Sequence, residues 1–167
     1  MLVVGLAPGL KGANRTGRPF TGDYAGIILY NALLKHGFAQ GEYKERPDDG
    51  LKLTDCRITN AVRCVPPQNK PEPVEIKTCN AFLKNEIAAM PKLKVILSLG
   101  QISHNAVVRA LGHKATQAKF THAAMHRLND IILLDSYHCS RYNIHTRVLT
   151  PEMFGEVIAH ARTLLGR

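Results

Sequence analysis

The chain has 167 residues, 45% of them apolar, and carries 22 Lys and Arg against 13 Asp and Glu, a formal charge of +9. That length reads as one domain over residues 1–167, large enough to bury roughly 70% of its extended-chain surface without disulfide or metal staples. No apolar run approaches the roughly 18 residues that span a bilayer, and no basic start with a cleavage site precedes the first strand. A cytoplasmic protein is therefore expected, whose four cysteines are thiols or metal ligands rather than disulfides. The cations gather in loops, at Lys11, Arg15 and Arg18, at Arg63 and Lys70, and at Arg141 and Arg147. Positive charge collected this way points to a polyanion partner such as nucleic acid.

Leu2-Val-Val-Gly-Leu6 is a short apolar run and reads as a buried strand. After it, residues 5–23 hold five glycines, two prolines and three cations, a long loop that ends at Asp23. In open α/β sheets a Gly-rich loop leaving a strand's C-terminal end is where ligands bind. Tyr24 to His36 has Ile27, Tyr30, Leu33 and Leu34 at helical spacing, with Gly37 closing it. Gln40 to Gly50 is charged and reads as a surface loop, and Cys56 to Val62 as a second strand. Cys64 to Pro71 contains three prolines, which forbid regular structure.

A second helix is expected from Pro73 to Met90, with Ile76, Cys79, Phe82, Leu83 and Ile87 facing inward. Leu93 to Leu99 reads as a third strand, and Ile102 to Leu111 as a short helix. Gly112 to Arg127 shows no readable period. Ile131 to Leu134 is the fourth strand and leads into Tyr137, His138 and Ser140. Thr150 caps a last helix that Pro151 opens. Four apolar strands separated by helices predict a three-layer α/β/α fold around a four-stranded parallel sheet.

The strand ends supply a candidate site. The first delivers the Gly-rich loop with Phe20 and Asp23, the second Asn60 and Arg63, the third Gly100 and Gln101, and the fourth Tyr137, His138 and Ser140. An amide, a carboxylate, an imidazole and a ring in a basic crevice suit a planar polar ligand attached to phosphate. Each has an ordinary alternative. Asp23 opens a helix and would serve there as a cap. Asn60 in an apolar strand needs paired hydrogen bonds whatever its role. A lone histidine such as His138 is commonly structural. Phe20, set in a Gly-rich loop, reads as a stacking platform rather than core. His122 and His126 have the spacing of a helical metal pair but lack the glutamate of a zinc hydrolase.

Several motifs occur in order: Gly5-Leu-Ala-Pro-Gly, Asn14-Arg-Thr-Gly-Arg-Pro-Phe-Thr-Gly-Asp23, Asn60-Ala-Val-Arg-Cys-Val-Pro-Pro, Asn69-Lys-Pro and Ser136-Tyr-His-Cys-Ser-Arg-Tyr-Asn143. Together they resemble the uracil-DNA glycosylase superfamily over Leu2 to about Leu165, most closely its family 5 (type B) branch. The resemblance implies a glycosylase-like fold and removal of uracil from DNA in base excision repair. It implies that Phe20 stacks on the extruded base, that Asn60 reads its edge, and that His138 steadies the departing anion. Gly5, Ala7 and Pro8 then line the base pocket. Ala7 and Pro8 stand where other branches keep a polar residue, so the water-positioning role falls to Asp23 and a broad range of deaminated bases is expected. Arg15, Arg18, Arg63 and Ser140 become DNA contacts, and Arg141 or Tyr142 the wedge that fills the vacated stack.

Two departures from the pattern bear on these expectations. Family members begin with a segment holding two cysteines, which complete a [4Fe–4S] cluster with the counterparts of Cys64 and Cys79. The sequence starts at the first strand, so a truncated start or a cluster-free fold is expected, with Cys64 and Cys79 as a partial ligand set. The histidine motif also reads His-Cys-Ser, with Cys139 where proline is commoner. A non-catalytic nucleic-acid binder on the same scaffold is the alternative. A mononucleotide-binding protein ranks last, because the loop lacks both the P-loop and the dinucleotide glycine patterns. The partner implied is uracil-containing DNA, met by a monomer because a single lesion needs one site.

Overall fold

The apolar runs become strands and the segments of helical period become helices. The computed structural model describes residues 1–166. In chain order these form β1 (Leu2–Gly5), α1 (Ala13–Thr16), α2 (Tyr24–Lys35), β2 (Ala39–Gln40), β3 (Lys52–Leu53) and β4 (Arg57–Asn60). There follow α3 (Pro73–Ala88), β5 (Val95–Leu99), α4 (Gln101–Ala110), β6 (Met125–Leu128), β7 (Ile131–Ser136), α5 (Arg141–His145) and α6 (Pro151–Leu164). No helix among the described residues is long and apolar enough to cross a membrane.

The main sheet has the order β4-β1-β5-β7-β6. The first four strands are parallel, with Gly5 opposite Asn60, Val4 opposite Ser98 and Ser98 opposite Asp135. Alternate side chains face opposite sides, as the pleat requires. Val3, Leu97 and Leu134 pack toward α2 and α6, whose Leu29, Leu33, Phe154 and Ile158 complete one core. Leu2, Val4, Ile96 and Leu133 pack the other way, against Leu83 of α3 and Ala106 and Val107 of α4. Strands buried on both faces have no polar side to show, which is why they read as unbroken apolar runs.

The sheet has five strands, one more than expected. The fifth, β6, runs antiparallel to β7 along the edge. It falls in the stretch where the sequence shows no period, because an edge strand keeps one side wet. Met125 and Arg127 are exposed and only Leu128 is buried. A tight turn at Asn129 (φ 54°) joins it to β7, a left-handed conformation asparagine tolerates. The segment 122–126 is therefore loop and strand rather than helix, so His122 and His126 are not a helical pair. The charged loop 40–50 is likewise spanned by a two-stranded ribbon of β2 and β3. Phe82, expected inside, is 50% exposed on α3 with Arg63 lying over its ring.

Candidate active site

The C-terminal ends of β1, β4, β5 and β7 converge on one crevice, as a parallel sheet dictates. Its narrowest point lies at Gly5. A Cβ there would come within 2.5 Å of both Asn60 Oδ1 and Phe20 Cζ. Only glycine leaves room for the amide and the ring to meet over the same peptide. Asn60 Oδ1 is buried and has no hydrogen-bond partner. A carbonyl oxygen withdrawn from water in this way costs about 1–3 kcal/mol, and it leaves an acceptor free for a donor that enters the crevice.

Phe20 is 7% exposed and belongs to the core beneath α2, so the expectation that it stands outside the core is corrected. The Gly-rich loop folds back on itself and seats the ring over β1, with Phe20 in a left-handed conformation (φ 56°). Hydrogen bonds hold this conformation from two sides. Tyr43 donates to the Phe20 carbonyl at 3.0 Å and Tyr30 to the Pro19 carbonyl at 2.7 Å. Neither tyrosine stood out in the sequence as a site residue, since both anchor the loop from elements outside it.

The rest of the loop is a built structure. It contains α1, and the Gly12 and Asn14 amides both donate to the Gly9 carbonyl. Arg18, expected as a DNA contact, is its brace. Its guanidinium donates to both carboxylate oxygens of the buried Asp49, to the Arg46 carbonyl and to Thr21 Oγ1, at 2.7–2.8 Å. The Arg18 hydrogen bonds hold the Asp49 carboxyl well below the usual carboxylate range.

Asp23 has the cap role considered from the sequence. Its Oδ1 accepts the Gly26 amide hydrogen at 2.8 Å and starts α2. Its Oδ2 packs on the Gly-rich turn, where a Cβ on Gly12 would come within 2.7 Å of it. Burial raises its pKa above the usual value, against the opposing Gly26 hydrogen bond. One carboxylate thus closes a helix and turns its second oxygen toward the loop.

His138 stands opposite, at the end of β7. Its ring centroid is 6.2 Å from that of Phe20, tilted by 36°. Burial alone pushes its pKa down to about 4, so the imidazole is neutral near pH 7. Asn143 Nδ2 donates to the His138 carbonyl at 2.8 Å, and Ser140 caps α5. Asn143 was quoted in a motif but given no role; its place three residues after a serine cap was the available signal. The Cys139 thiol donates to the Ala25 carbonyl at 3.6 Å, tying this loop to the start of α2. Cys139 thereby serves where proline is commoner.

Around the mouth, Arg15 is exposed and donates to the Lys11 carbonyl. Arg141 lies 5.2 Å over the Tyr24 ring, and Tyr142 is 73% exposed. Arg63 pairs with Glu86 at 3.1 Å. Ala7 and Pro8 follow β1 and are half-buried. A wide cleft at the opposite end of the sheet, lined by Met1, Cys56, Arg57 and Lys94, has none of these groups.

The family described as the uracil DNA glycosylase superfamily matches residues 1–162. The chain belongs to the uracil-DNA glycosylase superfamily. A type-5 uracil-DNA glycosylase of Thermus thermophilus is 42% identical over 99% of this chain and 76% of its own length. One of Pyrobaculum aerophilum is 38% identical over 96% of this chain and 70% of its own. A type-4 enzyme of Pyrobaculum aerophilum is 34% identical over 69% of this chain and 51% of its own.

An iron–sulfur cluster of the kind that the resemblance implies needs four thiolates. Cys64 is exposed in the proline-rich loop, Cys79 is buried on α3, Cys56 lies before β4 and Cys139 is engaged at Ala25. Among the described residues no cysteine joins two other metal-binding side chains; the one such trio is His104, His126 and Asp135. The described residues alone do not fit the cluster.

Proposed function

We propose that this chain hydrolyses the N-glycosidic bond of uracil in DNA. The observation that carries the reading is the buried, unpartnered Asn60 oxygen set between Gly5 and Phe20. A uracil edge offers an N3–H donor to such an acceptor, while cytosine has a lone pair at that position. The match with type-5 relatives along nearly the whole chain supports the same substrate.

On this reading the base leaves the duplex, at a cost of a few kcal/mol. Stacking on Phe20 returns about 1–3 kcal/mol, and contacts to phosphate supply more. Arg15, Arg63, Ser140 and Arg141 face the phosphates, and exposed Tyr142 fills the gap in the stack. Arg18, spent on Asp49, braces the loop instead. Gly5, Ala7 and Pro8 form the pocket wall.

The bond between C1′ and the base nitrogen then breaks, and its electron pair leaves with uracil. Neutral His138 donates a hydrogen bond to the base oxygen on which negative charge collects. One preset donor of this kind is worth about 10²–10³ in rate. Asp23 sits by the sugar, where its charge favours the oxocarbenium-like cation. Its Oδ2 takes the proton of the attacking water, and its raised pKa suits it to do so. The products are free uracil and an abasic site.

The test is alkali cleavage of a labelled oligonucleotide containing one uracil, comparing wild type with Asp23→Ala and His138→Ala. Cleavage by wild type that both substitutions lower at least about 100-fold is the expected result. Salt-sensitive DNA binding without cleavage would instead make the chain a binding module on this scaffold.

A further inference from the structure

His138 is reached through Tyr137, and Tyr137 is held by another histidine. The Tyr137 amide donates to His122 Nδ1 at 3.2 Å, and the two rings stack with centroids 5.0 Å apart and planes 24° from parallel. His122 is in the loop before β6, fifteen residues from the residue it holds. That loop is fastened to β7 immediately after His122. The Ala123 amide donates to the Asp135 carbonyl and the Asp135 amide to the Ala124 carbonyl, each at 2.9 Å. Phe120, two residues earlier, tilts against Tyr137 with centroids 6.1 Å apart.

Behind this loop is a buried ionic lock. Asp135 Oδ1 lies 2.8 Å from His104 Nδ1 and accepts from Ser98 Oγ at 2.6 Å; its Oδ2 lies 3.2 Å from His126 Nε2. His104 Nε2 is 2.9 Å from the Ala118 carbonyl. A carbonyl only accepts, so Nε2 carries a hydrogen. Nδ1 faces the Asp135 carboxyl, so both ring nitrogens are engaged. Burial would lower the His104 pKa, but the bonds to Asp135 and Ala118 and the Asp135 charge raise it. The 2.8 Å separation is a hydrogen-bond length, shorter than the roughly 3.3 Å between two ligands of one tetrahedral zinc. The lock fixes the loop at Ala118 and His126, on either side of His122.

We propose that His122 is a positioning residue for the glycosylase reaction: its unprotonated Nδ1 fixes the Tyr137 amide, and so the reach of His138, from a loop locked by the His104–Asp135 pair. The role rests on the uracil-excision reading above. Protonating Nδ1 replaces an acceptor with a second donor facing the Tyr137 amide, and the contact is lost. Burial lowers the His122 pKa, with the Glu156 charge on α6 opposing. The other groups facing it are Tyr137, just after β7, and Phe120 from its own loop, with Asp135 and His104 one layer behind.

The test compares wild type, His122→Phe and His122→Asn on the uracil oligonucleotide from pH 4.5 to 8, with thermal melts as the fold check. Phenylalanine keeps a stacking ring but offers no acceptor; we expect kcat to fall about tenfold or more with KM within about twofold. Asparagine restores an acceptor that does not titrate. We expect its kcat near wild type at pH 7 and its acid limb below that of wild type, because no protonation at position 122 then breaks the contact. Nitrogen-15 shifts should report His122 in wild type as the Nε2–H tautomer at neutral pH. If His122→Phe does not fold, the asparagine profile and the tautomer decide. An unshifted acid limb, or an Nδ1–H tautomer, overturns the proposal. Wild type that leaves uracil in place defeats the excision reading and this role together. Wild type that excises uracil while His122→Phe matches its kcat at every pH defeats this role alone.

Discussion

Asp23 Oδ1 accepts the Gly26 amide hydrogen at 2.8 Å, so the carboxylate assigned to the attacking water is also the cap of α2. The two roles separate by substitution. Asp23→Ala loses both, and its stability should fall by about 1 kcal/mol, the ordinary cost of a lost cap. Asp23→Ser keeps a capping oxygen but removes the carboxylate. We expect it to melt within a few degrees of wild type and to lose excision as fully as the alanine variant. Equal activity of the serine variant and wild type, measured by alkali cleavage, would reduce Asp23 to a cap.

Gly5 lets Asn60 and Phe20 share one position. In Gly5→Ala the new methyl group meets both at 2.5 Å, and neither can retreat, since Phe20 is packed in the core and Asn60 is fixed at the end of β4. Overpacking of this kind costs about 1–3 kcal/mol. The expected result is a folded protein with a lower melting temperature and excision reduced more than about 100-fold, since a displacement near 1 Å is enough for such a loss. Near-wild-type excision would mean that the base does not bind at this point.

The four parallel strands and the long helices could be read from the sequence because burial on both faces leaves a continuous apolar signal. The edge strand β6 and the ribbon of β2 and β3 could not, since their exposed sides interrupt the pattern. The same logic applies to the site. Asn60 and His138 stand at or just past the ends of strands with strong signals and Asp23 at the start of a periodic helix, so their places in the fold could be read. Tyr43, Asn143 and His122 act through a main-chain carbonyl or amide of a neighbour. Such contacts depend on how loops close, which residue spacing does not encode. Phe20 misled for a related reason: a glycine-rich composition implies exposure, yet this loop folds inward over β1.

The Arg18–Asp49 pair is the main brace of that loop. Asp49 is wholly buried and the Arg18 side chain is 19% exposed, also lying over the Tyr30 and Tyr43 rings. Arg18→Ala leaves the Asp49 charge without its cation, held only by the Lys44 and Leu51 amides, and should lower stability by about 1–3 kcal/mol. Replacing both residues with alanine removes that isolated charge, so the double variant should be more stable than Arg18→Ala. Denaturant titration of the three variants checks this. If Arg18 instead served mainly as a DNA contact, Arg18→Ala would melt like wild type and lose only salt-sensitive affinity.

His138 makes a prediction about pH and stability. Burial lowers its pKa to about 4, against about 6.5 in an unfolded chain. Between these values the unfolded state binds more protons, so stability rises with pH. The contribution is complete above about 6.5 and is lost as pH falls toward 4, where its total is at most about 3 kcal/mol. His36 and His122, also lowered, add slope of the same sign, and His104, raised, adds the opposite. The informative quantity is therefore the difference between wild type and His138→Gln, which keeps a donor but does not titrate. That difference should change steadily between pH 6.5 and 4 and stay flat above 7, measured by denaturant unfolding. Excision by His138→Gln at pH 7 should exceed that of His138→Ala, because a neutral donor is what the departing base needs. A difference that is flat across the whole range would show that burial does not lower the His138 pKa in the folded chain.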